Sequence, residues 1–185
     1  MKENHIYCNF NYNAIALREV CGVYLLERNT TRSIVYNGIK ESNLKQVADT
    51  LNISMPIYTM VYFRLDPYSI GGIHKDIKVN EDYTPKETNG DMSAFALNLP
   101  IINGAGICMN WYSELKQTKY ITKANTPYLP EEDSNKLMTV IVNKPSIMKI
   151  DDWHRVENIS GVASELISIR FPSYISRQQL IDYFN

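Results

Sequence analysis

Between residues 55 and 172 the chain keeps returning to short β-branched and aromatic segments separated by turn residues. The pattern opens at 57–65 (IYTMVYFRL) and is punctuated by Asp66-Pro67 and Gly71-Gly72. It continues through 73–77, 92–102, 107–112, 118–122, 137–142, 146–150, 153–158 and 165–171. About eight short strands at this spacing, with no long helical stretch between them, predict an antiparallel sandwich or barrel rather than βαβ units. The segments 107–112 and 118–122 flank Ser113-Glu114-Leu115-Lys116 and read as a hairpin. The stretch 127–135 reads as a loop with one helical turn at 130–133. The polar stretch 78–91 reads as a mobile loop.

The flanks differ. Leu44, Val47, Ala48 and Leu51 recur at helical spacing over 41–52, and Pro56 stops that element. Residues 14–28 carry helix and strand features equally. At the other end Ser176 is a suitable N-cap for a helix over 176–184, with Leu180, Ile181 and Phe184 on one face. A length of 185 residues fits one domain. The expected organisation is a single domain, 1–185, with a mixed N-terminal flank (1–54), a β core (55–172) and a C-terminal helix (173–185).

Composition excludes several function classes. There are 19 basic and 20 acidic residues, a formal net charge of −1, so no basic excess drives nucleic-acid binding, although a local patch stays open. No apolar run approaches the roughly 20 residues of a membrane span. The first residues lack the charged-then-apolar pattern of a signal peptide, which predicts a cytoplasmic protein. Cys8, Cys21 and Cys108 are odd in number and show no paired or zinc-ligand spacing, which predicts inert thiols in a reducing compartment. The many Ile, Asn, Tyr and Lys residues have AT-rich codons and suggest a bacterium or its phage.

The chemistry centres on histidine, of which the chain has three. His5 lies near the start. His74 follows the Gly71-Gly72 kink in His74-Lys75-Asp76, and His154 starts a later strand segment. Residues i and i+2 of a strand share a face, so His74 and Asp76 project together while Lys75 points away. Two imidazoles and a carboxylate make three facial ligands and leave open positions on an octahedral metal, an arrangement suited to non-haem Fe(II) and its oxygen chemistry.

With Gly72-Ile73-His74-Lys75-Asp76, Ala96-Leu97-Asn98-Leu99-Pro100-Ile101, Trp111-Tyr112, Trp153-His154-Arg155-Val156-Glu157-Asn158 and Ser168-Ile169-Arg170-Phe171 in this order, the sequence resembles the Fe(II)- and 2-oxoglutarate-dependent oxygenases. It is similar to small bacterial and phage members related to the aspartyl/asparaginyl β-hydroxylase branch. The resemblance implies a double-stranded β-helix, a jelly-roll or cupin-like barrel, with flanking helices. It implies His74, Asp76 and His154 as iron ligands, and 2-oxoglutarate and dioxygen as co-substrates. Arg170 is the candidate for the distal carboxylate, with Ser168 beside it. The sequence departs from many relatives in having Ser164-Glu165 where a basic residue sits nearer the second histidine. Arg64 and, ranked lower, Arg155 are substitutes, and Tyr62, which shares a face with Arg64, is a candidate to donate its hydroxyl to the co-substrate. Asn98 either bonds the co-substrate or satisfies neighbouring backbone. Trp111 and Tyr112 read as core or pocket wall, Asn158 as a turn residue, and 78–91 as a substrate lid. The implied reaction is hydroxylation of a protein side chain or of a small metabolite such as an amino acid, with demethylation and desaturation also in the range. A non-catalytic binding barrel and a cupin-like metal enzyme that does not use 2-oxoglutarate are the alternatives. Oligomeric state is open.

Overall fold

The computed structural model describes residues 4–24, 29–31, 34–39, 41–77, 92–117, 120–122 and 126–185. Among the described residues thirteen strands run in chain order: β1 (His5–Tyr7), β2 (Asn29–Thr31), β3 (Ile34–Gly38), β4 (Thr59–Leu65), β5 (Ile73–His74), β6 (Met92–Ile102), β7 (Ile107–Glu114), β8 (Tyr120–Ile121), β9 (Pro127–Leu129), β10 (Ser134–Ile141), β11 (Ser146–Lys149), β12 (His154–Asn158) and β13 (Ser164–Pro172). Three helices join them: α1 (Ala14–Tyr24), α2 (Glu41–Thr50) and α3 (Arg177–Phe184).

The strands form two antiparallel sheets. The major sheet has the order β1-β11-β6-β13-β4-β3-β2, and the minor sheet β10-β7-β12-β5-β9-β8. From β4 onward the chain passes back and forth between them: β4 major, β5 minor, β6 major, β7 to β10 minor, β11 major, β12 minor and β13 major. This is the double-stranded β-helix expected from the sequence.

Period-two patterning explains the layers. Ile107, Met109, Trp111, Val140 and Val142 face Leu65, Met148 and Leu166 across the inside of the barrel. The opposite face of the major sheet is also apolar. Met60, Leu97, Leu99, Ile147, Ile167, Ile169 and Phe171 pack there against Leu17 and Cys21 of α1, Val47 of α2 and Leu180 and Phe184 of α3. Covered on both sides, β13 is buried from Ser164 to Phe171. Each large apolar side chain so buried contributes about 1.5–3 kcal/mol. α3 starts where the sequence places it: the Ser176 side chain accepts from Gln179 N–H and the Gln179 side chain accepts from Ser176 N–H.

Three local readings change. The described part of 118–122, Tyr120–Thr122, does not form a hairpin with 107–112. Both edges of β7 are taken, by β10 and β12, and β8 pairs instead with β9. Pro127–Leu129, read as loop, is therefore a strand, although the turn after it, Glu131–Asp133, is present. The segment 73–77 is extended but only Ile73 and His74 belong to a sheet. Residues 14–28, ambiguous in sequence, are helical over Ala14–Tyr24. The expected lid, 78–91, lies outside the described residues. The three cysteines are free and buried. Among the described residues no helix is long and apolar enough to cross a membrane.

Candidate metal centre

The approach to the site is set by Gly71. Its N–H donates to the Val156 carbonyl of β12 at 3.0 Å. A Cβ at position 71 would lie 2.8 Å from that same oxygen, so a side chain would push the incoming strand off β12. Three residues later His74 stands directly opposite His154 across β5 and β12. Their ring centroids are 4.7 Å apart.

β5 ends at His74, yet the carboxylate joins the histidines. Asp76 N–H donates to the Ile150 carbonyl at 2.9 Å, which turns the chain in, while Lys75 swings out over the Trp153 ring at 4.7 Å. Asp76 Oδ1 is 3.2 Å from His74 Nε2, and Oδ2 is 3.8 Å from His154 Nε2. One ligand atom from each residue lies within 4.8 Å of the others. Both imidazoles are oriented alike. His74 Nδ1–H donates to the Gly72 carbonyl and His154 Nδ1–H to the Asp152 carbonyl, each at 2.8 Å. A carbonyl only accepts, so the neutral tautomer carries its lone pair on Nε2, the atom facing the carboxylate. Backbone orientation of a ligating histidine through its other nitrogen is the usual second support of a metal site.

The charges are unequal. Burial pushes His154 down, and the neighbouring His74 adds to it, leaving a pKa of about 4. Burial also pushes His74 down, but its hydrogen bond to Asp76 and the carboxylate's charge outweigh that and raise it. Burial pushes Asp76 up, and the Arg170 guanidinium followed by the His74 hydrogen bond overturns this, holding it well below the carboxylate range.

Arg170 and Ser168 project from β13 on the face they were expected to share. Arg170 Nη1 is 2.6 Å from Asp76 Oδ2, and its Nε donates to Ser168 Oγ at 3.2 Å. Asn98, opposite Ser168 on β6, is 2% exposed, and its Nδ2 has no hydrogen-bond partner among the described residues. These three line one cavity with His74, Asp76 and His154. The cavity measures about 30 Å³ and is walled by Phe63, Met109, Ile150, Val156 and Leu166. Sequence reasoning missed these wall residues because any apolar residue on an inner strand face fits the pattern.

Tyr62 and Arg64 are not brought to the site. They lie on the outer face of the major sheet: Arg64 stands opposite Glu165, and Tyr62 bonds the Arg18–Glu165 pair, which closes at 2.6 Å. Phe63 and Leu65, between and beside them, take the inner face. The alternation was right, but both faces of β4 are apolar, so its parity does not say which one points inward. Arg155 points away from His154 as expected, pairing with Glu157 and, at 3.2 Å, with Glu131. Trp111 is interior core, with Nε1–H donating to the Lys149 carbonyl, and Tyr112 lies on the opposite face. Asn158 locks the β12–β13 turn: its Nδ2 donates to the Leu65, Asp66 and Val162 carbonyls.

No protein-family model matches the chain, and no curated protein matches it. Solved structures do. The epimerase SnoN, solved with Fe3+, α-ketoglutarate and nogalamycin RO, aligns over 93% of this chain and 80% of its own at 8% identity, with a TM-score of 0.54. SnoK, a non-haem α-ketoglutarate-dependent carbocyclase from nogalamycin biosynthesis, aligns over the same shares at 11% identity and a TM-score of 0.51. At these identities the likeness is one of fold. It does not single out the aspartyl/asparaginyl branch.

Proposed function

We propose that this chain is a non-haem Fe(II)- and 2-oxoglutarate-dependent oxygenase. The observation that carries the reading is the convergence of His74 Nε2, His154 Nε2 and the Asp76 carboxylate at one end of a double-stranded β-helix. Two neutral imidazoles and one carboxylate suit a six-coordinate Fe(II) with open positions. The donor set fits the metal, because both lone pairs are aimed by backbone hydrogen bonds on the far side of each ring.

The cavity also offers an anion a place beside the metal. Asn98 Nδ2 is a buried donor without a partner among the described residues, which is what a carboxylate oxygen satisfies. A guanidinium carries five N–H donors, and Asp76 and Ser168 account for two of those on Arg170. The remainder, with Asn98 and Ser168, form the candidate 2-oxoglutarate subsite. The apolar walls lower the polarity around the reacting groups. Iron and 2-oxoglutarate, when bound, supply the activation of dioxygen and the oxidation of a substrate C–H bond. The chain's part is to hold Asp76 between Arg170 and His74, to fix both imidazole tautomers and to orient the carboxylate. Hydroxylation of a protein side chain or of a small metabolite is the proposed outcome.

The test is anaerobic Fe(II) titration followed by 2-oxoglutarate. Stoichiometric metal binding and a new visible charge-transfer band are expected, and His74→Ala abolishes the band. Absence of stoichiometric affinity for Fe(II) or a surrogate metal ends the reading. One observation favours a second reading. The cavity of about 30 Å³ and the engagement of Arg170 with Asp76 suit a small ligand on the metal better than a five-carbon diacid. A metal enzyme of the same triad without 2-oxoglutarate is selected if oxygen consumption proceeds unchanged when 2-oxoglutarate is withheld.

A further inference from the structure

The row of side chains that carries the two histidines continues beyond the metal centre. In an antiparallel pair, residues directly opposite each other share a face. Trp111 stands opposite His154, His154 opposite His74, His74 opposite Tyr128, and Tyr128 opposite Tyr120. These five residues form one transverse row across β7, β12, β5, β9 and β8. Exposure rises along it, from 0% at Trp111 and 3% at His154 to 37% at Tyr128 and 44% at Tyr120. The His74 side chain, between them, is 34% exposed. The metal centre therefore sits where this sheet face emerges from the barrel, and the two tyrosines carry the face outward. With strands about 4.8 Å apart, Tyr128 lies one strand and Tyr120 two strands beyond His74. Their ring centroids are 5.3 Å apart at an interplanar angle of 36°.

We infer that Tyr128 and Tyr120 are the substrate-binding platform of this site, and that they select a substrate with a planar ring. The inference rests on the oxygenase reading for the identity of the site as catalytic. The chemistry of the row makes the choice. Beyond His74 it presents two aromatic faces and two phenolic hydroxyls, which offer stacking and hydrogen bonds, and the same tyrosines border a cavity that Glu131, Glu132 and Arg155 also line. A planar ring gains from such a face what an aliphatic chain of equal size does not. A cross-strand aromatic pair also steadies its own hairpin, but that role needs no third ring and predicts no ligand.

The test uses the full chain, 15N-labelled and loaded with Zn(II) as a diamagnetic surrogate. Indole and adenosine serve as planar probes and cyclohexanol as the saturated control. The planar probes are expected to shift the amide signals of His74, Tyr120 and Tyr128, and cyclohexanol is not. Tyr128→Thr weakens planar-probe binding about tenfold, Tyr128→Phe preserves it, and Tyr120→Thr, on the outermost strand, repeats the loss should the hairpin not tolerate the first variant. An equal response to cyclohexanol, or threonine variants within about twofold of wild type, overturns the platform. Zinc binding with these amides unmoved by planar probes overturns the platform and leaves the metal centre standing. Failure of zinc to bind overturns the metal reading and, with it, the platform's role as a substrate site.

Discussion

Asp76→Asn isolates the charge at the centre of the site while keeping its shape. The carboxylate lies 2.6 Å from Arg170, 3.2 Å from His74 and 3.8 Å from His154. The Arg170 side chain is 10% exposed, so water does little to replace a lost counter-ion. Breaking a buried ion pair from one side costs about 3–5 kcal/mol. The asparagine carbonyl still accepts one hydrogen bond from the guanidinium, which places the expected loss at the low end, about 3 kcal/mol. With a urea m-value of about 2 kcal/mol/M, the unfolding midpoint falls by about 1.5 M. The assay is urea unfolding at neutral pH with a chelator present. Arg170→Met also destabilises, because it strands the carboxylate. The double variant is less destabilised than the sum, with a coupling of about 2 kcal/mol. Metal adds a second arm: at one hundred times its dissociation constant it stabilises the wild type by about 2.7 kcal/mol and leaves Asp76→Asn almost unmoved. A midpoint shift below about 0.3 M, or additive single variants, refutes the claim that Asp76 is the counter-ion of Arg170.

Asn98→Leu removes a buried donor that has no partner among the described residues, so stability changes by less than about 1 kcal/mol, while 2-oxoglutarate affinity of the Fe(II) protein drops about tenfold; calorimetry reads both. Co(II) affinity still rises with pH above 6.5, the ordinary imidazole value. The raised pKa of His74 means that a proton competes there, whereas His154, at about 4, has already lost its own. Titrations at a series of pH values that give one constant affinity contradict this. Alkaline stability falls. Burial raises Cys21 from 9.0 to about 12, so between these values the unfolded chain releases a proton that the folded chain retains, and stability decreases with pH by about 1.4 kcal/mol per unit. Tyr12, raised by burial from 10.0 to about 12, steepens the loss in the upper part of that range. Cys21→Ala flattens the slope seen in urea midpoints.

How much of this was legible in the sequence depends on whether local pattern or pairing decides. The 92–102 strand was readable to the residue, because an apolar run bounded by polar segments has no other good solution in a β-rich chain. Helix 177–184 was readable from its capping residue and its one apolar face. The His74/Asp76/His154 triad was readable from a motif and a scarcity of histidine. Pairing was not readable. Nothing in Thr118–Thr122 says that its partner is Pro127–Leu129 rather than β7; that follows from β7 having both edges already occupied. The row from Trp111 to Tyr120 exists only in the register, so the two tyrosines carried no signal in sequence. Tyr62 and Arg64 failed for a related reason. A sheet with helices on one side and a second sheet on the other is apolar on both faces, and alternation alone has no sign.

The two sheets divide the work of the site between them. The minor sheet supplies the histidines from adjacent strands, β5 and β12, each held by a hydrogen bond to a carbonyl two residues earlier. The major sheet supplies the donors, Asn98 from β6 and Ser168 and Arg170 from β13, which are themselves paired in register. Facing sheets stand about 10 Å apart, with the inner side chains of both filling the space between them. Asp76 bridges the gap because it lies just past the end of β5, where the chain is free to turn inward toward Arg170. The proposed metal ligand is thus also the link between the sheets at this end of the barrel. A longer β5 would keep Asp76 in the plane of the minor sheet and break that link, so the two-residue strand, which looks like a defect in the β pattern, is what lets one carboxylate meet both sheets.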